Sequence, residues 1–106
     1  MLQFLSKLLF GEKPDIYKLV KERKAVVIDV RTPQEFSQGH AKGSKNIPLQ
    51  EVERRMKELK KLDRPIVACC RSGNRSGIAA RKLRAAGIEA YNAGRWQDVE
   101  QALNKK

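Results

Sequence analysis

Short apolar runs alternate along the chain with segments in which apolar residues recur every three or four positions. The runs AVVIDV (25–30), IVAC (66–69) and IEAYNA (88–93) are typical of short strands, the first of them unbroken and rich in β-branched residues. A shorter strand is predicted at SKNIP (44–48), where Pro48 stops it. Unbroken apolar runs indicate strands that are covered on both faces, as in a parallel sheet.

The predicted helices lie between and around these strands. Thr32, Pro33 and Glu35 form a capping-box pattern, which predicts a short helix through Gln38. Helical spacing predicts an apolar N-terminal helix at 2–10, a second helix (DIYKLVKER) after Pro14, and an amphipathic helix at 49–62 with a basic outer face. It also predicts a helix at 76–86 with Ile78, Ala79, Leu83 and Ala86 inward, and a C-terminal helix with Trp96, Val99 and Leu103 inward. Strands that alternate with helices favour an α/β fold with a mostly parallel sheet.

Length and charge narrow the range of functions. The 106 residues predict a single domain over 1–106, in which 1–13 form an apolar extension. The net charge of +11 favours anionic substrates or an acidic partner, and scarce aromatic residues make nucleic-acid binding unlikely. No stretch approaches the roughly 18 apolar residues of a membrane span. The N-terminus lacks a basic region and a cleavage site, so we expect a cytoplasmic protein.

The cysteine content excludes two structural roles. Cys69 and Cys70 are the two cysteines, and a disulfide between neighbours is strained and rare. With a single histidine, His40, and no CxxC motif, a structural zinc site is also disfavoured. The sequence therefore predicts no metal and no disulfide framework.

The most informative segment is CRSGNRS (70–76), which we call the cysteine loop. The chain leaves a strand at Cys70 and enters a helix near Ser76, at the carboxyl end of the sheet where ligands gather in open parallel folds. Gly73 can adopt positive φ without cost and Asn74 tolerates it. A loop curled in this way directs successive backbone N–H groups inward and forms an anion-binding concavity.

Charge in this loop favours an ionised thiol. Arg71 and Arg75 add full positive charges, and the following helix directs the positive end of its dipole at the same point. An unperturbed cysteine is only a few per cent thiolate at neutral pH, whereas a helix N-terminus with nearby cations lowers its pKa. Cys70 is thus the predicted nucleophile. Cys69 points to the other face of the strand and is predicted to be a small core residue, with a resolving role in redox cycling as the alternative.

At this point the sequence resembles a known family, the single-domain rhodaneses of the thiosulfate sulfurtransferase type. Three blocks carry the resemblance, namely VIDVRTPQEFSQGHAKGSKNIP (27–48), CRSGNRS (70–76) and NAGRW (92–96). The match extends from residue 25 to about residue 104. The chain departs from the family pattern at Ala41, Ser44 and Ala93, none of which touches the thiol.

The resemblance implies a three-layer α/β fold with a four- or five-stranded, mostly parallel sheet flanked by helices. It implies that Cys70 receives sulfur from thiosulfate or another persulfide donor and passes it to a thiol or cyanide, with no cofactor. The remaining loop residues would bind the substrate through their amides and charges: Arg71, Ser72, Gly73, Asn74, Arg75 and Ser76. Related phosphatases and arsenate reductases place five residues between cysteine and arginine, whereas this loop has four, which suits a single sulfur.

A second function stays open, because the basic loop face also suits a non-catalytic or relay module that docks an acidic sulfur-carrier protein. Other family positions are expected to be structural. Asp29 is expected to accept backbone hydrogen bonds, Arg31 and Glu35 to pair and brace the loop, and His40 to form a structural hydrogen bond. Trp96 is expected in the core, with a place in the wall of the pocket as the alternative.

Overall fold

A computed structural model of the chain describes residues 14–104. The predicted helix at 2–10 lies outside the described residues. In chain order the elements are α1 (Ile16–Arg23), β1 (Val26–Asp29), α2 (Pro33–Ser37), β2 (Lys45–Asn46), a 3-10 turn (Leu49–Glu51), α3 (Met56–Lys61), β3 (Ile66–Cys70), α4 (Asn74–Ala85), β4 (Ala90–Arg95) and α5 (Trp96–Asn104).

The four strands form one sheet in the order β2-β1-β3-β4, and every neighbouring pair is parallel. The predicted α/β fold with a parallel sheet is therefore confirmed. Because all strands run the same way, their carboxyl ends meet at one edge, where Asp29, Asn46 and Cys70 lie.

Two apolar layers cover the sheet. On one face Ile28, Ala68 and Cys70 pack with Leu59 of α3 and Leu83 of α4. On the other face the strand residues Val27, Val67 and Cys69 pack with Leu19 of α1 and Val99 of α5. Alternating strand residues thus enter opposite cores, as the pleat requires. Trp96 and Leu103 pack against the second cluster, which confirms the predicted inner face of the C-terminal helix.

The prediction of one continuous helix at 49–62 is wrong. The segment opens with the 3-10 turn, passes through further turns and becomes helical only at Met56. The N–H of Met56 bonds three residues back, to Glu53 O, and that of Arg55 is shared between Glu51 O and Val52 O. Val52 and Leu59 are nevertheless buried, so the apolar positions face the sheet as the periodicity predicts although the winding differs.

The helix after the cysteine loop is also corrected in detail. It begins at Asn74 rather than near Ser76, because Gly73 is the residue that caps it. Ala79 and Leu83 are buried as predicted, whereas Ile78 is exposed and Ala86 only half-buried. Apolar residues spaced by three or by four positions both fit a helical face. Spacing alone therefore placed Ile78 on the buried face, although it lies at the edge of that face.

Strand β4 contains an irregularity that matters for the site. Ala68 pairs with Asn92 and Cys69 pairs with Gly94, so Ala93 is an extra residue in the ladder. Such bulges re-aim side chains next to functional sites. Within residues 14–104, no helix is long and apolar enough to cross a membrane.

Candidate active site

The Cys70 sulfur lies at the end of the central strand β3, surrounded by hydrogen-bond donors of the cysteine loop. Gly73 N donates to Sγ at 3.0 Å and Ser76 N at 3.4 Å, and Ser76 Oγ lies 3.3 Å away. The loop therefore curls around this sulfur as its composition predicts. Cys70 is buried beneath the cysteine loop (0% exposed).

Gly73 gives the loop its shape. Its φ is 99°, a left-handed conformation that glycine adopts without steric cost. A Cβ at this position would lie 3.3 Å from Gly94 Cα, so the loop packs closely against the end of β4. The predicted need for glycine is confirmed by both the backbone angle and the lack of space.

These contacts lower the pKa of the Cys70 thiol. Burial alone raises it, but hydrogen bonds from the Ser76 hydroxyl and from the backbone N–H groups of Ser76, Gly73 and Ser72 outweigh that effect. Hydrogen bonds to the charged form favour it, and the net result is a pKa below the ordinary value. The groups that lower the pKa of this thiol are thus a hydroxyl and backbone N–H groups of the cysteine loop.

Cys69 has the opposite character. It is fully buried on the other face of the sheet, and burial, together with the charge of Asp29, raises the pKa of its thiol to about 12. The predicted core position is confirmed. A neutral thiol that faces the second core, away from the Cys70 sulfur, is poorly suited to resolve a bond formed there.

Asn92 and Ser76 form a polar network behind the sulfur. The Ser76 hydroxyl donates to Asn92 Oδ1 at 2.7 Å, and Gly94 N donates to the same oxygen at 2.9 Å. Asn92 Nδ2 donates to Gly73 O at 3.0 Å. The side chain of Asn92 thus connects β4 to both ends of the curled loop.

Arg75 forms a bidentate ion pair with Glu35, with N–O distances of 2.8 and 3.1 Å. The expected pair between Arg31 and Glu35 is therefore wrong, because the loop brings Arg75 to Glu35 instead. Glu35 also completes the predicted capping box, since Thr32 N donates to its carboxylate and Glu35 N donates to Thr32 Oγ1. One carboxylate therefore fixes both α2 and the start of α4.

The Glu35–Arg75 ion pair makes a contribution to the free energy of unfolding that depends on pH. The hydrogen bonds from Arg75 and from Thr32 N lower the pKa of Glu35 to about 2. A depressed folded-state pKa stabilises the fold above the ordinary value near 4.5 and loses that effect as pH falls toward 2. We expect Glu35→Gln to cost about 1 kcal/mol at pH 7, since the pair is partly exposed.

Urea unfolding of wild type and Glu35→Gln between pH 7 and pH 2 measures this difference. The gap between the two midpoints is expected to narrow as the pH falls from about 4.5 toward 2. A gap that stays constant over this range would show that the Glu35 carboxylate is not stabilised by its partners.

Arg31 pairs with Asp29 rather than with Glu35. Its Nε and Nη2 donate to the Asp29 carboxylate at 2.7 to 3.0 Å, and Nη2 also donates to Gly39 O at 2.7 Å. Asp29 accepts the backbone N–H of Arg31 as well, which confirms its expected structural role. Both residues are buried, and the Arg31 guanidinium lies 5.2 Å from the centroid of Trp96.

The remaining predicted site residues lie at the loop surface. Arg71 is exposed and forms no ion pair with any residue of the described range. Ser72 is exposed, and its Oγ accepts the N–H of Asn74 at 3.4 Å. The amide of Asn74 is thus directed to Ser72 Oγ, whereas those of Gly73 and Ser76 are directed to the sulfur.

A groove of about 400 Å³ opens beside the loop, and Arg71, Glu35, Gln38 and Trp96 line it. Trp96 therefore does form a wall of the pocket while it packs against the second core. A larger cavity of about 600 Å³ lies at the opposite end of the strands, near Gly87, and contacts no residue of the cysteine loop. Of these two, the smaller groove is the one that borders the cysteine loop, through Arg71.

His40 has a structural position, as expected. Its Nδ1 is 2.7 Å from Phe36 O, and its ring stacks on that of Phe36 at 3.6 Å between centroids. Among residues 14–104, no cluster of three or more histidine, cysteine or acidic side chains could hold a metal ion.

Two polar side chains of the site were not found from the sequence. Asn46 Nδ2 donates to the backbone oxygens of Asp29 and Arg31, and Asn92 holds Gly73 and Ser76. The available signal was a lone amide near the carboxyl end of an otherwise apolar predicted strand. Such a residue is at the edge where ligands gather, which marks it for attention.

A parallel sheet is covered on both faces, and a thiol of lowered pKa lies at the end of one of its two central strands, which defines an α/β protein with a candidate cysteine site. A family model described as Rhodanese-like domain matches residues 12–99, and the chain belongs to this family.

Curated relatives agree with this assignment. The Bacillus subtilis protein YqhL is 46% identical over 71 residues, which are 66% of this chain and 56% of YqhL. The thiosulfate sulfurtransferase GlpE of Pseudomonas aeruginosa is 37% identical over 67 residues, which are 63% of this chain and 60% of GlpE. This chain thus spans little more than half the length of either relative.

A solved structure supports the fold. Reduced Bacillus anthracis CoADR-RHD matches with a TM-score of 0.71 and 32% identity, over 89% of this chain and 17% of that one. The rhodanese-like fold predicted from the three sequence blocks is therefore confirmed. At a coarse level, the chain is a relative of sulfurtransferases.

Proposed function

We propose that the protein is a sulfurtransferase that carries a sulfane sulfur as a persulfide on Cys70. The observation that carries this proposal is the set of donors directed at one sulfur atom, from Gly73 N, Ser76 N and Ser76 Oγ. These donors stabilise the attacking thiolate, and they suit the negative charge of the persulfide equally well.

The reaction runs in two displacements. The Cys70 thiolate attacks the outer sulfur of thiosulfate or of a persulfide, a new S–S bond forms, and the old S–S bond breaks with its electron pair leaving on sulfite or on a thiolate. An acceptor thiolate or cyanide then attacks the outer sulfur of the Cys70 persulfide. This second step releases a new persulfide or thiocyanate and restores the Cys70 thiolate, so no external oxidant or reductant is needed.

Charge around the loop suits an anionic donor. Arg71 is exposed beside the groove, and the chain carries a net charge of +11, which raises the local concentration of anions. Arg75 is bound by Glu35, so Arg71 is the cation best placed to meet the donor directly.

Loading with thiosulfate tests the proposal. We expect wild type to gain one sulfur atom by intact-protein mass spectrometry and to lose it on treatment with cyanide or a thiol. Cys70→Ala should gain none, while Cys69→Ala should load as wild type does because Cys69 faces the other core. A wild type that fails to load from thiosulfate and from small persulfides, or a Cys70→Ala variant that loads equally, overturns the proposal.

The complete burial of Cys70 favours one second candidate, a relay module opened by a docked acidic sulfur-carrier protein. In that case small donors would leave the protein unloaded, and a persulfide-bearing acidic protein would load it. Binding of such a partner that persists in Cys70→Ala, with no loading of wild type, would favour pure docking.

A further inference from the structure

Asn92 occupies an unusual position in β4. It lies directly before the extra residue Ala93, where the register with β3 shifts, while the residues on either side of it, Tyr91 and Ala93, are buried. After the bulge the strand continues through Gly94 and Arg95, and Gly94 N donates to Asn92 Oδ1 at 2.9 Å. The side-chain amide is thereby fixed at the strand end that faces the cysteine loop.

The two loop residues bound by Asn92 are the same two whose groups surround the sulfur. Nδ2 donates to Gly73 O, and Gly73 N is 3.0 Å from Cys70 Sγ. Oδ1 accepts the hydroxyl of Ser76, whose N and Oγ lie 3.4 and 3.3 Å from Sγ. A single side chain therefore holds all three of these donors in place without touching the sulfur itself.

Space around this amide is tight. A Cβ on Gly77 would lie 3.2 Å from Asn92 Nδ2, and a Cβ on Gly73 would lie 3.9 Å from it. The glycines of the loop and of the first turn of α4 thus leave room for Asn92 between the strand and the helix. A Cβ at Gly77 would press on the amide, whereas one at Gly73 would be in ordinary van der Waals contact with it.

We propose that Asn92 is a positioning residue for the reaction of Cys70, holding Gly73 and Ser76 so that their donors converge on Sγ. The proposal rests on the proposed function, since it assigns Asn92 a part in preparing the nucleophile of that reaction. Asn92 acts through Gly73 and Ser76 only.

The Ser76 hydroxyl has one proton for two neighbours. Directed to Asn92 Oδ1, it leaves an oxygen lone pair facing Sγ, which suits a protonated thiol. When the sulfur ionises, the hydroxyl proton turns to Sγ, and Oδ1 remains satisfied by Gly94 N. In the ionised form Asn92 therefore holds the loop through its bond to Gly73 O, and it binds the Ser76 hydroxyl only while the proton is on the Oδ1 side.

The charged groups near Cys70 belong to other elements. Arg75 of α4 and Glu35 of α2 form the nearest ion pair, and Arg71 follows Cys70 directly in the chain. The hydrogen bonds of Asn92 within residues 14–104 include none of these three. A change at Asn92 therefore tests the neutral donors without altering the charge pattern.

The test measures the pKa of Cys70 from the pH dependence of its alkylation by iodoacetamide, with the labelled peptide identified by mass. We expect Asn92→Ala to raise this pKa by about one unit, which corresponds to one weakened hydrogen bond to a charged group. Cys69 does not interfere, because its own pKa is about 12.

Asn46→Ala is the matched control. Asn46 also donates two hydrogen bonds to backbone oxygens, those of Asp29 and Arg31, but it binds neither Gly73 nor Ser76. We expect this variant to lower the urea midpoint as Asn92→Ala does and to leave the pKa of Cys70 unchanged. An equal pKa shift in both variants, or none in Asn92→Ala, overturns the positioning role.

Two further variants make the result specific. In a Ser76→Ala background, Asn92→Ala should shift the pKa less than in wild type, because one of the two held residues no longer has a hydroxyl. Asn92→Asp keeps the acceptor for Ser76, places an oxygen against Gly73 O and adds a negative charge near the sulfur, so its shift should be the largest.

The outcome is separable from that of sulfur transfer, because alkylation needs no sulfur donor. A wild type that never loads sulfur, together with a raised pKa in Asn92→Ala, would reject the proposed function and keep the positioning role. Normal loading of wild type, together with an unchanged Cys70 pKa in Asn92→Ala, would keep the proposed function and reject the positioning role.

Discussion

Asp29→Asn is expected to lower the free energy of unfolding by about 3–5 kcal/mol, the cost of removing one partner of a buried ion pair. Asp29 has no exposed surface and Arg31 is 5% exposed. The carboxylate accepts the Arg31 N–H and its guanidinium at 2.7 to 3.0 Å, so its loss leaves a buried charge without its counter-charge.

Loss of the Asp29–Arg31 pair should also affect other contacts of Arg31. Arg31 also donates to Gly39 O and lies over Trp96, which connects the end of β1 to α5. We therefore expect Asp29→Asn to disturb the groove beside the cysteine loop as well as the fold. Replacing both partners by apolar residues, as in Asp29→Ala with Arg31→Met, should cost less than the two single changes added together.

Urea unfolding followed by circular dichroism measures these differences. Glu51→Gln is the control, because the Arg54–Glu51 pair has the same charges but an Arg54 side chain that is 72% exposed. Its removal should change the free energy of unfolding by less than about 1 kcal/mol. Equal losses in Glu51→Gln and Asp29→Asn would contradict the assigned role of burial.

Gly73→Ala is expected to reduce sulfur transfer roughly 10²-fold, the usual cost of removing one backbone donor from a charged site. At φ of 99° an alanine is strained by about 1–3 kcal/mol, and its Cβ would lie 3.3 Å from Gly94 Cα. Relief of that contact moves Gly73 N away from Sγ, so the pKa of Cys70 should rise at the same time.

Gly87→Ala is the control that distinguishes a loss of stability caused by backbone strain from a direct effect on sulfur transfer. Gly87 has a similar φ of 89°, but nothing lies within 4 Å of a Cβ there, and it is at the opposite end of the sheet. Both variants should lose stability, whereas only Gly73→Ala should lose sulfur transfer and show a raised Cys70 pKa. Loss of transfer in Gly87→Ala would attribute the effect to general destabilisation.

Local patterns in the sequence predicted much of this architecture. The β-branched runs gave the central strands, because a strand covered on both faces excludes polar residues. Thr32 and Glu35 predicted the capping box, and Gly73 predicted the positive φ, because each feature depends on a few neighbouring residues. The separation of Cys69 from Cys70 followed from strand alternation.

Interactions between distant segments were not predictable in the same way. Glu35 binds Arg75, which lies 40 positions further along the chain, and Asn92 binds Ser76 at a separation of 16 positions. The second contact lies beside the β-bulge of β4, which no local sequence pattern predicted. The expected Arg31–Glu35 pair was wrong because charge complementarity does not specify which of two arginines folding brings near. Periodicity likewise predicted which residues of 49–62 are buried but not that the segment winds as a 3-10 turn and further turns before Met56.

The all-parallel sheet has a consequence for the newly synthesised chain. Among residues 14–104 no strand pair is a hairpin, so each pairing waits for a crossover segment, and β4 is the last of these four strands to be synthesised. Until β4 has paired with β3, Gly73 and Ser76 have no Asn92 to hold them. The donors around Cys70 therefore gain their support from Asn92 only when β4 joins the sheet.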